Sequence, residues 1–221
     1  ELGIAVLADG MGGHKAGEIA AHMTVKFVLE KLRKFVLQKT SVSITGAQLL
    51  EFVSTTISSS NAEIFRTQQE QELYKGMGTT IVATLIIGSH IYVGHVGDSR
   101  LYLYRNRKVK RLTKDHSVVQ DLIDRGFYTE REAREANVGH VVTRAMGTKS
   151  AVDVDTAEIP RLPYDLLMLC SDGLTDMISD WQIAETIAEN ITDLDLAAKK
   201  LIALANLNGG KDNISVILMQ T

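Results

Sequence analysis

The sequence predicts an α+β body in which antiparallel sheets are covered by long helices, and three observations carry that prediction. Short β-branched runs alternate with long amphipathic stretches through all 221 residues, with only two prolines and no low-complexity linker or repeat. The runs in the middle of the chain are joined by turns too short for a parallel crossover. Two long apolar stripes of helical period precede those runs, and such stripes must be buried against sheet faces. With 45% hydrophobic and 23% charged residues, the chain can bury a sizeable core without disulfides or a structural metal.

Ile4 to Ala8 is a short apolar run ending at Asp9-Gly10, the pattern of a buried strand. From Ala16 the period changes, and Ala20, Met23, Phe27, Val28, Leu32 and Phe35 share one helical face. A second helix from about Gln48 carries Leu49, Val53, Ile57 and Ile64. Thr79 to Ile87 and Ile91 to Val96 form a hairpin around Gly88-Ser89-His90, and Arg100 to Tyr104 extends it through Gly97-Asp98-Ser99. Asp115 to Gly147 is polar and helical, with too few large apolar residues for a core of its own, so it is expected to lie over the main body as a mobile subdomain. Strands return at Leu166 to Cys170 and Ile214 to Met219, enclosing helices near Trp181 to Glu189 and Leu194 to Leu207.

The net charge of −3 gives no footprint for nucleic acid, which needs a basic stripe. Arg105, Arg107, Lys108, Lys110 and Arg111 fit a solvated edge strand instead. Cys170 is the lone cysteine, so no intrachain disulfide forms, and its apolar surroundings mark it as a core residue rather than a nucleophile. No apolar stretch reaches the roughly 18 residues that span a bilayer. The chain enters a strand at once after Glu1, without cap or leader, so native residues are expected to precede it.

Asp9, Asp98, Asp172 and Asp212 all stand at the ends of apolar strands. Taken singly, Asp-Gly is an ordinary turn pair. Together, four carboxylates on one edge of a sheet structure would repel unless cations intervened, and no His or Cys cluster competes for them. Oxygen ligands of this kind suit Mg²⁺ or Mn²⁺ and disfavour zinc. The glycine-rich segment Asp9 to Glu18 is open to a second reading, an anion cradle at a helix N-terminus, although its spacing is not that of a Walker A loop.

Seven segments then carry a family resemblance: Asp9-Gly10-Met11-Gly12-Gly13, Gly76-Met77-Gly78-Thr79-Thr80, Val96-Gly97-Asp98-Ser99-Arg100, Leu112-Thr113-Lys114-Asp115-His116, Thr143-Arg144-Ala145-Met146-Gly147, Ser171-Asp172-Gly173 and Asp212-Asn213. In order and spacing they resemble the metal-dependent protein phosphatases of type 2C, most of all the bacterial branch. The resemblance implies a four-layer αββα sandwich, two central antiparallel sheets flanked by helices, with a flap at about 115–147 beside a metal cleft. It implies a single catalytic domain over 1–221 that lacks its N-terminal strand segment. Two Mn²⁺ or Mg²⁺ ions are implied, with Asp9 bridging them, the Gly10 carbonyl on the second, Asp172 and Asp212 on the first, and a weaker third ion held by Asp98 with Asp172.

By that likeness the reaction is direct hydrolysis of phosphoserine and phosphothreonine in proteins by water activated between the ions, without a covalent phosphoenzyme. A histidine general acid would assist the basic leaving alkoxide, and His14 is the candidate, against a bland role as a helix cap. His116 is expected to partner a nearby backbone or carboxylate group, while His22, His90, His95 and His140 show no constellation. The family's Arg and acidic pair upstream of the first strand are absent from this sequence, so the second ion is expected to be held weakly. Accompanying expectations are kinase-phosphorylated protein substrates, a monomer, a cytoplasmic location, and no nucleic acid or membrane span. Two other classes remain open: a catalytically silent phosphoprotein-binding module of the same fold, and an ATP-binding module using the glycine loop.

Overall fold

Strand β1, Leu2–Leu7, ends in three consecutive buried residues, Ala5, Val6 and Leu7. A run buried on both faces belongs between two layers, and the rest of the chain supplies them. The computed structural model describes residues 2–12, 14–38, 44–135 and 141–221. After β1 come the two-residue β2, Gly10–Met11, and the helices α1, His14–Gln38, and α2, Gly46–Glu70. Helix α2 starts two residues before its apolar stripe predicts, because Thr45 and Gln48 form a reciprocal capping box. A 3₁₀ turn at Glu72–Tyr74 leads to β3, Gly78–Thr79. The strands β4, Ile81–Ile87, and β5, His90–Val96, form one hairpin and β6, Arg100–Arg105, and β7, Lys108–Arg111, another. Arg100 to Tyr104 therefore opens the second sheet instead of extending the first hairpin, because Gly97-Asp98-Ser99 carries the chain across between the layers. Next are the short helices α3, Val118–Asp124, and α4, Glu130–Glu135. The chain finishes with β8, Asp155–Pro160, β9, Leu166–Cys170, α5, Asp172–Thr175, α6, Asp180–Glu189, α7, Leu194–Leu207, and β10, Val216–Gln220.

Two four-stranded sheets form, ordered β1-β4-β5-β8 and β10-β9-β6-β7, and every pairing is antiparallel. Side-chain alternation assigns the layers. On β4, Ile81, Ala83 and Leu85 join Val28, Leu32, Val53 and Ile57 of α1 and α2, while Val82 and Ile86 face the other sheet. On β9, Leu167 and Leu169 meet Val82 and Ile86 between the sheets, whereas Leu166, Met168 and Cys170 pack under Ile183, Ile187 and Leu201 of α6 and α7. Three apolar strata therefore separate helices, sheet, sheet and helices, which is the four-layer sandwich.

Several expectations hold and a few shift. The basic stretch ends on β7, the edge of the second sheet, as expected of charged edge strands. Its hairpin turns at Asn106 and Arg107, both at positive φ (52° and 60°), the backbone of a type I′ turn. Cys170 is fully buried, and burial pushes its thiol up to about 12, so it is inert core. The first strand runs Leu2–Leu7 rather than Ile4 to Ala8, and the last Val216–Gln220 rather than Ile214 to Met219. Strand β8 has no counterpart in the sequence reading, because an edge strand reading Asp-Thr-Ala-Glu-Ile-Pro buries only Ala157 and Ile159 against the core. Among the described residues no helix is long and apolar enough to cross a membrane.

Candidate metal centre

The register places the four aspartates on one edge. β1 and β5 both pair antiparallel with β4, so they run the same way and their C-terminal ends coincide. Gly97-Asp98-Ser99 carries the chain from the end of β5 into β6, whose first residue Arg100 lies opposite Cys170, the last residue of β9. Cys170 also lies opposite Val216, the first residue of β10. Asp9 after β1, Asp98 after β5, Asp172 after β9 and Asp212 before β10 therefore meet at the same rim of the sandwich.

The backbone of each is fixed while its carboxyl is left available. Asp9 donates its N–H to Thr80 Oγ1 (3.0 Å), and its carbonyl accepts from Thr80 N–H (2.8 Å) and Thr79 Oγ1 (2.8 Å). Asp172 opens α5, and its Oδ1 is buried with no hydrogen-bond partner. Asp212 is exposed and accepts the Asn213 N–H at Oδ1 (2.7 Å). Burial first, then the neighbouring charge of Asp172, pushes the Asp9 carboxyl up to about 7, with a further contribution from Asp212. Asp98, 6% exposed, is pushed up to about 7 by the same two causes, burial and then Asp172, with Asp115 and Asp9 adding to them. Asp9 and Asp98, raised by burial and then by a neighbouring charge, stand beside the orphaned buried oxygen of Asp172 and form an oxygen-rich site suited to hard cations. The residues present thus fit Mg²⁺ or Mn²⁺.

The motif glycines account for one another. A methyl group on Gly10 would overlap the Gly17 carbonyl, one on Gly12 the Gly76 carbonyl, and one on Gly173 the Asn213 carbonyl. In the loop that suggested an anion cradle, Gly10, Gly12 and Gly17 serve close backbone approach. β2 and β3 pair Gly10 with Thr79 and Met11 with Gly78, and Thr79 exchanges two backbone hydrogen bonds with Met146 (3.2 and 2.8 Å). Thr80 Oγ1 and Ser99 Oγ lie 2.7 Å apart, and Ser171 Oγ donates to the Asn213 carbonyl (3.2 Å). Segments up to 71 positions apart in the sequence are thereby bonded directly to one another around the aspartates.

Comparison with known proteins bears on this frame directly. The family model described as Protein phosphatase 2C matches residues 4–214. The chain belongs to the protein phosphatase 2C family. The phosphatase is 36% identical over 217 residues to Serine/threonine phosphatase stp of Listeria monocytogenes serotype 4b, covering 98% of this chain and 84% of that protein. It is 35% identical to Protein phosphatase PhpP of Streptococcus pneumoniae serotype 2, with 97% of this chain and 84% of that protein covered. The crystal structure of the Mycobacterium tuberculosis serine/threonine phosphatase PstP/Ppp superposes with a TM-score of 0.85 at 34% identity, over 97% of this chain and 86% of that one. The PstP catalytic domain in complex with two manganese ions gives 0.82 at 34% identity, again over 97% and 86%.

His14 is the first residue of α1, and its side chain lies outside the described residues, as does His140. His116 behaves as expected: its Nδ1 accepts the Gly97 N–H (3.0 Å), and its Nε2 lies 3.2 Å from Asp155 Oδ2. His95, set aside in the sequence reading, needs correction. Its ring stacks on His116 at 4.8 Å and 12°, its Nε2 bonds the Lys114 carbonyl (2.8 Å), and with Asp155 the two rings place three ligating atoms within 4.8 Å of one another.

That trio is not a second metal centre. Because Nδ1 of His116 accepts a backbone N–H, Nε2 must carry the ring proton and cannot ligate. Arg144 also occupies the space, donating to Asp155 Oδ1 (2.6 Å) and the Asp153 carbonyl (3.2 Å). Burial lowers the pKa of both histidines, which favours the neutral ring. Arg100 forks onto Asp115 (3.0 and 2.6 Å) with Tyr102 OH alongside (3.2 Å), so this motif arginine anchors the flap entry.

Proposed function

We propose that this chain is a metal-dependent protein serine/threonine phosphatase, a phosphoric monoester hydrolase whose centre is built on Asp9, Asp172 and Asp212. The observation that carries the site is the buried, unpartnered Asp172 Oδ1 beside an Asp9 carboxyl raised to about 7 by burial and by the charge of Asp172. The two manganese ions of the PstP complex and the serine/threonine phosphatase names of the relatives support the reading. Divalent ions bound here would supply an ionised water as nucleophile and neutralise the phosphoryl oxygens.

The chain's own residues hold that chemistry in place. Asp9 spans the centre from a backbone tied to Thr79 and Thr80, with the Gly10 carbonyl beside it for the second ion. Asp172 presents its buried oxygen from the first residue of α5, and Asp212 reaches in from the loop before β10 for the first ion. Asp98 faces Asp172 and would serve a weaker third ion. His14, at the head of α1, is the assigned general acid for the leaving alkoxide. The flap at about 115–147 lies beside this rim, within a single catalytic domain, and would contact kinase-phosphorylated protein substrates. The buried Cys170 accords with a cytoplasmic enzyme, acting as a monomer.

Release of inorganic phosphate from a phosphothreonine peptide in the presence of Mn²⁺ tests the activity. Asp172→Ala is expected to lower kcat at least a hundredfold; full activity in that variant would overturn the site.

A further inference from the structure

We propose that His116 is a positioning residue for Asp98: it clamps the Gly97 peptide and so sets the direction in which the Asp98 carboxylate faces the acidic rim. The inference rests on the reading of Asp98 as a metal-facing carboxylate and deepens it. Gly97 has φ +106°, and a methyl group there would lie 2.6 Å from Thr80 Cγ2, so the turn depends on glycine. Glycine also leaves the peptide free to take many conformations, and something must hold the one that aims Asp98.

His116 does this with two bonds from one residue 19 positions away. Its Nδ1 accepts the Gly97 N–H (3.0 Å), and its own N–H donates to the Gly97 carbonyl (2.9 Å). The imidazole is itself constrained. It is 7% exposed, stacked on His95, and its Nε2 faces Asp155 Oδ2 at 3.2 Å. Arg144 Nη1 lies 2.9 Å from the same nitrogen but donates to Asp155 Oδ1 (2.6 Å), so Asp155 takes the Nε2 proton of the tautomer that makes Nδ1 an acceptor, as a carboxylate does behind a metal-bound histidine. The His116 carbonyl accepts the Thr143 N–H (2.8 Å), so the same residue joins the two ends of the flap. The knot touches none of the four carboxylates directly, and its effect on them passes through Gly97.

Two near-isosteric substitutions separate positioning from mere packing. His116→Asn places an amide oxygen where Nδ1 stood and keeps the acceptor for Gly97; His116→Gln places its polar group near Nε2 and loses that acceptor. The full chain, stripped of metal, is titrated with MnCl₂ by calorimetry, and Asp98→Asn identifies the Asp98-dependent event. His116→Gln is expected to weaken that event about tenfold or more while the remaining events stay within about twofold, and His116→Asn to remain within about threefold of wild type.

Equal losses of unfolding stability in both variants with the Asp98-dependent event unchanged would make His116 a structural residue only and overturn the proposal. Loss of no binding event in Asp98→Asn would overturn the reading of Asp98 beneath it. Should the Gln variant not fold, Asp155→Ala, at a half-exposed position, removes the group that sets the tautomer. It is expected to weaken the same event several-fold, and an unchanged affinity would refute the clamp.

Discussion

Replacing Asp98 by Asn should make the metal-free protein more stable at pH 8 and weaker in its response to Mn²⁺. Asp98 is buried against Asp172, Asp115 and Asp9, and its pKa rises from an ordinary 3.8 to about 7. A carboxyl raised in the folded state ionises first in the unfolded chain, so folding loses stability as pH climbs from about 4 to about 7 and recovers it on acidification. At about 1.4 kcal/mol per pH unit, the cost at pH 8 comes to about 4 kcal/mol. Asn carries no charge and avoids that cost, at the expense of one amide group in need of partners. Urea denaturation of metal-free wild type and Asp98→Asn at pH 4.5 and pH 8 measures the difference directly. The variant should gain about 3 kcal/mol relative to wild type between the two pH values, since about 1 kcal/mol of the cost is already present at pH 4.5, and Mn²⁺ at pH 8 should shrink or reverse the gain. A variant equally destabilised at both pH values would show that Asp98 is not held against its neighbours' charge, and the rim would lose its fourth carboxylate.

Three other outcomes follow from the same geometry. Asp115→Ala leaves the Arg100 guanidinium buried without its fork partner and should cost about 3–5 kcal/mol in urea unfolding, whereas a loss below about 1 kcal/mol would mean the pair is well solvated. Gly10→Ala drives a methyl group onto the Gly17 carbonyl and should cost about 2–3 kcal/mol together with activity; Gly76→Ala, with open space around it but φ +76°, should cost only about 1 kcal/mol, and thermal unfolding of the two would expose an inverted order. Mn²⁺ should raise the Tm more at pH 8 than at pH 5.5, because below about 7 the ion must displace protons from Asp9 and Asp98; a larger shift at the lower pH would contradict the crowded-carboxyl account.

Much of this was legible in the chain. The continuous apolar runs Leu166 to Cys170 and Thr79 to Ile87 announced strands, and the stripes of α1 and α2 announced the layer that covers a sheet, since periodicity is a property of neighbours in sequence. The four aspartates could be nominated because each stands at one end of an apolar run. The seven ordered motifs supplied the rest, the assignment of roles included.

Other features were hidden because they consist of contacts between distant positions. His95 and Asp155 looked unremarkable until sheet pairing set one opposite the other in β5 and β8, beneath His116. The glycine loop pointed to phosphate in sequence, yet the methyl-sized gaps at Gly10 and Gly12 are taken up by Gly17 and Gly76. Strand β8 carries too little apolar surface to be read without the β5 edge that receives it. The sequence by itself determined antiparallel sheets covered by helices, the acidic residues and the kind of ion they suit, because composition and period report local preference and ligand chemistry, while the four-layer order came with the family resemblance. Only the tertiary structure decided which carboxyl is raised by which neighbour, which oxygen of Asp172 is left unpartnered, and which histidine holds the Gly97 turn, because charge crowding and desolvation exist only once the strand ends converge.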